Sequence, residues 1–116
     1  MSGPRLKTGI WVSAQLRICD KKMIPAAIIK RGDNDAGGVL IKINKMGQGC
    51  EVMARVLDGD GERVWMAVAG GGAENAQQHI EAERNSDDYI KRELNIDPDL
   101  WVIEIEDSKG EYAPDV

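Results

Sequence analysis

Three strand-like stretches in the middle of the chain, two of which alternate apolar and polar residues, constrain the fold more than any other feature. The stretches are residues 39–46, 50–57 and 63–69, and glycine-rich turns separate them. A two-residue period places every second side chain on the same face of a β-strand. Connections this short join antiparallel neighbours, so the pattern predicts three consecutive antiparallel strands. Both faces of residues 63–69 are apolar, which indicates a strand that is covered on both sides or that meets a partner.

A helix and a further strand are predicted before this group. Apolar residues at helical spacing predict a helix over residues 9–23, with Thr8 as its cap and Pro25 as its stop. Residues 26–31 are short and β-branched at their centre, as is typical of a strand.

Helical segments and a last strand are predicted after it. Residues 70–72 are three glycines and are expected to break the sheet. Residues 73–84 predict a helix, and Ser86, which two aspartates follow, predicts the start of a second one. Residues 100–106 predict the last strand, with one face formed by Trp101, Ile103 and Ile105 and the other by Val102, Glu104 and Glu106. The order α-β-β-β-β-α(α)-β predicts an α+β fold, with helices packed on one mostly antiparallel five-stranded sheet.

The alternation also predicts which strand residues are buried. We expect one inward set to be largely buried against the first helix: Val39, Ile41, Ile43, Val52, Val56, Val64, Met66 and Val68.

The length of 116 residues predicts a single domain, residues 1–116, with an ordered core at about 5–107 and a loose polar tail. Hydrophobic residues make up 42% of the chain, and no apolar run approaches the roughly 20 residues of a membrane span. Cys19 and Cys50 are too few for a disulfide scaffold and lie on apolar stripes. We therefore expect buried thiols in a cytoplasmic protein without membrane contact.

Charge is distributed unevenly along the chain. Residues 1–57 hold ten basic and four acidic residues, a formal charge of +6, whereas residues 58–116 carry −11, for a net charge of −5. The basic residues are scattered singly, so we expect the two halves to neutralise each other locally rather than to bind nucleic acid.

Four carboxylates form a weak alternative metal site. Asp33 and Asp35 lie on a turn, and Glu104 and Glu106 share one face of the last strand. If the strand lies near the turn, the four could hold Mg²⁺ in a metal-dependent hydrolase or nuclease. Aspartates are common in turns for conformational reasons, however, so we predict no metal and no cofactor.

Tryptophans mark the predicted interface. Trp65 and Trp101 lie on strands with many apolar neighbours, and the second helical segment offers little apolar surface to cover a sheet face. An uncovered apolar patch containing Trp65 or Trp101 is therefore expected to be an interface, with a homodimer as the commonest outcome.

The chain also resembles a known family over nearly its whole length. The stretches RGDNDAGGVLIKIN (residues 31–44) and DPDLWVIEIED (residues 97–107) are similar to the alphaproteobacterial domain-of-unknown-function family numbered fourteen-ninety-one. The resemblance implies a free-standing cytoplasmic bacterial protein of about this length. It implies no activity, so no catalytic residue is carried over.

Three functions are left open by the sequence. The leading hypothesis is a non-enzymatic domain that binds an unidentified protein partner or forms a homodimer, because no nucleophile and base share a recognisable spacing. The alternatives are the metal-dependent hydrolase described above and nucleic-acid binding through the basic first half.

Overall fold

The computed structural model describes residues 6–115, which form two helices and one five-stranded sheet. The elements are α1 (Thr8–Lys21), β1 (Ala26–Lys30), β2 (Val39–Asn44), β3 (Gly49–Leu57), β4 (Arg63–Gly72), α2 (Ala76–Ile96) and β5 (Trp101–Glu106). The predicted α+β class and the order of the elements are confirmed. None of the described helices is long and apolar enough to span a membrane. Residues 1–5 and 116, which the predicted domain includes, lie outside the described residues.

The sheet is mixed, because its last strand is inserted into the middle. The strand order is β1-β5-β2-β3-β4. β5 runs parallel to β2, while the other three neighbouring pairs are antiparallel. Helix α2 makes this parallel pairing feasible, since it returns the chain from the β4 edge across the sheet. The predicted mostly antiparallel sheet is corrected in this respect.

The two helices cover opposite faces of the sheet. Val12 and Cys19 of α1 pack with Ile41, Ile103 and Ile105 on one face. On the other face, Tyr89, Ile90 and Leu94 of α2 pack against a second cluster of strand residues, namely Leu40, Val52 and Val102. In β5, Trp101, Ile103 and Ile105 face α1 and Val102 faces α2, as its alternation predicts.

The predicted inward set does not share one face. Ile41 lies on the α1 face, whereas Val52 lies on the α2 face, because β3 places Val52 opposite Lys42 rather than opposite Ile41. Ile41, Ile43 and Val52 are buried. Met66 is 51% exposed, so its predicted burial is wrong. The remaining members of the set are half-buried: Val39, Val56, Val64 and Val68.

Helix α2 is continuous through the position where a second helix was predicted to start. Asn75 caps it, since its Oδ1 accepts a hydrogen bond from the Gln78 N–H at 2.9 Å. Ser86 is fully buried within the helix. Its Oγ lies 2.9 Å from the carbonyl oxygen of Ala82 and 3.2 Å from that of Cys50, two acceptors for one hydroxyl hydrogen. Ser86 therefore joins the helix to β3 instead of beginning a new helix.

Two other local predictions are wrong, one for residues 70–72 and one for the segment after residue 107. β4 continues to Gly72, which pairs with Gly49, so the three glycines do not break the sheet. The segment after residue 107, expected to be loose, packs against the α1 face. There the Asp107 carboxylate accepts hydrogen bonds from the Glu111 and Tyr112 N–H groups, and the Tyr112 ring is buried.

Candidate functional site

A groove of about 1060 Å³ opens where the start of α1, the loop before β2 and the β3–β4 hairpin meet. We call it the tryptophan groove, after Trp11 and Trp65, which lie among its lining residues. Glycines, apolar side chains and charged side chains all contribute to the lining. A concave surface lined in this way is a candidate binding site.

One wall of the groove is the loop of residues 31–38, which also holds the start of α1. The Gly9 N–H donates to the Asn34 carbonyl oxygen at 3.0 Å, and the Thr8 hydroxyl donates to that of Gly37 at 2.7 Å. Thr8 is thus the first helical residue and Lys7 is the cap, which corrects the predicted cap. The loop supplies acceptors to helix donors that would otherwise lack partners, so the groove wall and α1 form one unit.

The floor of the groove contains two stacked tryptophans beneath an arginine. The rings of Trp11 and Trp65 have centroids 5.4 Å apart and an interplanar angle of 21°. The Arg55 guanidinium carbon lies 5.1 Å from the Trp65 centroid and 5.7 Å from that of Trp11, close enough for cation–π attraction. Both tryptophans are half-buried and Arg55 is exposed. Tryptophan and arginine are the residue types that contribute most to protein interfaces.

The segment that ends at residue 115 contacts the same tryptophan. The Trp65 indole Nε1–H donates to the Asp115 carbonyl oxygen at 2.7 Å. The Gln15 amide donates to the Asp115 carboxylate at 3.2 Å, and the Tyr112 hydroxyl donates to Gln15 Oε1 at 2.8 Å. Trp65 and Gln15 thus bind a main-chain carbonyl and a side-chain carboxylate of the same residue.

The lining of the groove contains five charged residues. Three are basic (Lys7, Arg55 and Arg63) and two are acidic (Asp35 and Glu62). Lys7 and Asp35 form an exposed ion pair at 3.6 Å and largely cancel each other.

The four carboxylates of the alternative metal site are not brought together. The Asp33 carboxylate accepts a hydrogen bond from the Ala36 N–H within its own turn, and Asp35 pairs with Lys7. Glu104 lies on the α2 face, 4.0 Å from Lys42, and Glu106 is at the far end of β5. Within residues 6–115, no group of three or more histidine, cysteine, aspartate or glutamate side chains is placed to hold a metal ion.

The two tryptophans of the predicted interface have different surroundings. Trp101 is 1% exposed in the core beneath α1, and its indole N–H donates to the Asp33 carbonyl oxygen at 2.8 Å. It cannot lie at the centre of an interface unless the core opens, so its predicted role is wrong. Trp65 remains accessible in the groove. Trp11 and Arg55 were not predicted as site residues, since Arg55 reaches Trp65 through strand pairing and Trp11 reaches it through the packing of α1.

A buried lysine forms a charge cluster on the opposite face. Lys42 Nζ lies 2.8 Å from the Asp87 carboxylate and 3.0 Å from that of Glu83. Burial alone would lower the pKa of Lys42, but these hydrogen bonds and the charge of nearby Glu104 outweigh it and raise the pKa. Lys42 is therefore a fixed cation that holds α2 to the sheet.

Neither cysteine is suited to nucleophilic chemistry. Cys19 and Cys50 are free and fully buried, as predicted. Burial raises the pKa of both thiols, which disfavours the reactive thiolate.

Comparison with known proteins identifies relatives along almost the entire chain. The model of the family DUF1491, described as a protein of unknown function, matches residues 6–113. A crystal structure of a DUF1491 family protein from Caulobacter crescentus CB15 is 34% identical, covers 92% of each chain and has a TM-score of 0.74. An NMR structure of a family protein from the same organism is 34% identical, covers 94% of this chain and 92% of that one, and has a TM-score of 0.75.

A more distant relative shares the fold as well. The solution structure of protein Atu0922 from A. tumefaciens is 25% identical, covers 89% of this chain and 86% of that one, and has a TM-score of 0.61. No curated protein matches the chain.

Proposed function

This chain belongs to the DUF1491 family, and we propose that it is a non-enzymatic protein-interaction domain that binds an extended, acidic segment of a partner protein in the tryptophan groove. The observation that carries the proposal is the accessible pair of Trp11 and Trp65 beneath Arg55. Half-buried tryptophans can bury a further share of their large area on a partner.

The contact between Trp65 and the chain's own end supports an extended segment as the occupant. The indole N–H of Trp65 donates to a main-chain carbonyl there, and an extended peptide that displaces residue 115 offers the same contact. Arg63, an exposed residue of the lining, favours acidic side chains in that peptide, because complementary charge orients association. We also propose that the domain is cytoplasmic, because its two cysteines are free thiols, as is usual in a reducing compartment.

The experiment is a selection of random twelve-residue peptides on the full chain, followed by affinity measurement from tryptophan fluorescence. We expect the selected peptides to be acidic and to bind with micromolar dissociation constants. The test variants are Ala36→Glu and Ala36→Lys, because Ala36 is exposed on the groove wall and both variants add a long side chain there, with opposite charge. Ala36→Glu should weaken binding about tenfold, and Ala36→Lys should maintain or strengthen it.

A variant at a distance from the groove provides the control. Ile29→Glu adds the same charge at an exposed position of β1 and should leave the affinity unchanged. The proposal is wrong if no peptide is selected, or if Ala36→Glu and Ile29→Glu weaken binding equally.

Nucleic-acid binding is tested in the same assay with a single-stranded oligonucleotide. Because Trp11 and Trp65 stack on each other, their facing surfaces are not open to bases. Binding of the oligonucleotide in place of peptides, with a steep dependence on salt concentration, would assign the groove to nucleic acid instead.

A further inference from the structure

The two edge strands of the sheet differ in how they are protected against pairing with another strand. β1 has five residues, follows Pro25 and ends at Lys30, whose ammonium group donates to the Pro98 carbonyl oxygen at 2.6 Å. β4 has ten residues, and residues 64–72 include no charged residue and no proline. Natural proteins protect edge strands with charge, proline or short length, because an open row of backbone donors and acceptors pairs readily.

Within the described residues, β4 pairs with β3 alone. A bulge at Val68 interrupts that pairing but does not shorten the strand. Met66 is 51% exposed and Ala67 is also exposed, so apolar side chains accompany the open backbone.

The glycines at the end of β4 are not all required by the fold of one chain. Gly70 has a φ of +78°, and a Cβ there would overlap the Cys50 carbonyl oxygen and lie 2.5 Å from Ser86 Oγ. A Cβ on Gly71 would meet no atom within 4 Å, and its φ lies outside the left-handed region. Glycine destabilises a strand relative to alanine, and it often marks the close approach of another backbone.

Charge at the two ends of this segment selects the orientation of a partner strand. Arg63 begins β4 and Glu74 follows it, with no charge between them. A parallel pairing of two copies would place Arg63 beside Arg63, whereas an antiparallel pairing places Arg63 beside Glu74.

We propose that a second copy of this chain pairs with β4 in an antiparallel manner, so that two sheets join into one ten-stranded sheet about a two-fold axis. An axis between Val68 and Ala69 places Arg63 opposite Glu74 and Met66 opposite Gly71. Met66 and Gly71 both lie on the α2 face, because Met66 pairs with Ala54 and Gly71 with Cys50 in β3. The missing side chain of Gly71 leaves room for Met66 of the second copy. This interface is the edge of the sheet, not the tryptophan groove, although Arg63 borders both.

The test measures the mass of the full chain by analytical ultracentrifugation between 1 and about 200 µM. We expect a concentration-dependent dimer. Arg63→Glu and Glu74→Arg should each lower the association constant about tenfold, since the symmetric dimer contains each contact twice, and the double variant should restore it. Gly71→Val should lower it at least as much, while the monomer's melting temperature is maintained or raised.

Ala27→Glu, at an exposed position of the opposite edge, is the control and should leave the association constant unchanged. A chain that stays monomeric over this range would overturn the proposal. A dimer that tolerates both charge reversals and Gly71→Val would overturn it as well, because it would form through another surface. Failure of the double variant to restore association would contradict the antiparallel register.

Discussion

The two stacked tryptophans differ in a single hydrogen bond. Trp65 donates its indole N–H to the Asp115 carbonyl oxygen, whereas the indole nitrogen of Trp11 is buried without a partner among residues 6–115. A buried donor without an acceptor costs about 1–3 kcal/mol. Two residues of the same type, which occupy one stack, therefore contribute unequally to stability.

This difference predicts an asymmetry between matched substitutions. Trp65→Phe and Trp11→Phe remove the same atoms, but only the first breaks a hydrogen bond and only the second removes a buried, unpaired donor. Trp65→Phe should lower the free energy of unfolding by about 1–2 kcal/mol more than Trp11→Phe does. Urea denaturation of both variants measures the difference, and equal losses would contradict this description of the stack.

At the scale of elements, the loop of residues 31–38 connects α1 to the start of β5. The Asp33 N–H donates to the Asp99 carbonyl oxygen at 2.9 Å, and Asp33 in turn accepts from Trp101. Gly32 permits this approach, since a Cβ there would lie 2.7 Å from the Trp101 ring and closer still to the backbone of Asp99. The groove wall therefore depends on a backbone contact that no side chain can replace.

Gly32→Ala should consequently destabilise the protein, by about 2 kcal/mol, because backbone must move to admit the methyl group. Gly59→Ala is the matched control, since a Cβ at Gly59 meets nothing within 4 Å. Thermal unfolding should show a lower melting temperature for Gly32→Ala and an unchanged or higher one for Gly59→Ala. An unchanged melting temperature for Gly32→Ala would contradict the prediction, because it would show that the backbone of the loop moves at little cost.

The elements were predictable where local pattern determines them, and less so where distant contacts do. Alternation and turn residues were sufficient to find β2, β3 and both faces of β5. The insertion of β5 beside β2 depends on the path of α2, which no local pattern encodes. Ser86 resembles a cap in sequence, but its burial against β3 favours a continuous helix. Of the groove, only Trp65 was predicted, because the proximity of Trp11 and Arg55 follows from tertiary packing.

At the scale of the whole molecule, opposite charges from the two halves meet at Lys42 on the α2 face of the sheet. Lys42 from the basic half contacts Glu83, Asp87 and Glu104 from the acidic half, and its side chain is 9% exposed. Local neutralisation, as expected from the scattered basic residues, thus holds α2 in place. Lys45 differs, since it pairs with Glu51 of its own half at 3.4 Å.

The last prediction concerns alkaline pH, where several buried groups act in the same direction. The fold raises the pKa of Lys42, Tyr112 and both cysteine thiols, burial being the main cause for the tyrosine and the thiols. The folded state therefore retains protons that the unfolded chain releases, first from the thiols near pH 9.0 and then from tyrosine near pH 10.0. The stability that these groups contribute is present below pH 9 and is lost as pH rises above it, by at most about 1.4 kcal/mol per pH unit for each group.

Urea unfolding between pH 7 and 11 should show a steady decline of the free energy of unfolding above pH 9. Tyr112→Phe should lower the free energy of unfolding by about 1 kcal/mol at pH 7, since its hydrogen bond to Gln15 is lost. The same variant should nevertheless lose stability less steeply above pH 9 than the parent chain does. Lys42→Met should reduce the steepness further. Lys91→Met, at an exposed position of α2, is the control and should keep the slope of the parent chain; a slope that none of these substitutions changes would contradict the assignment of alkaline unfolding to these buried groups.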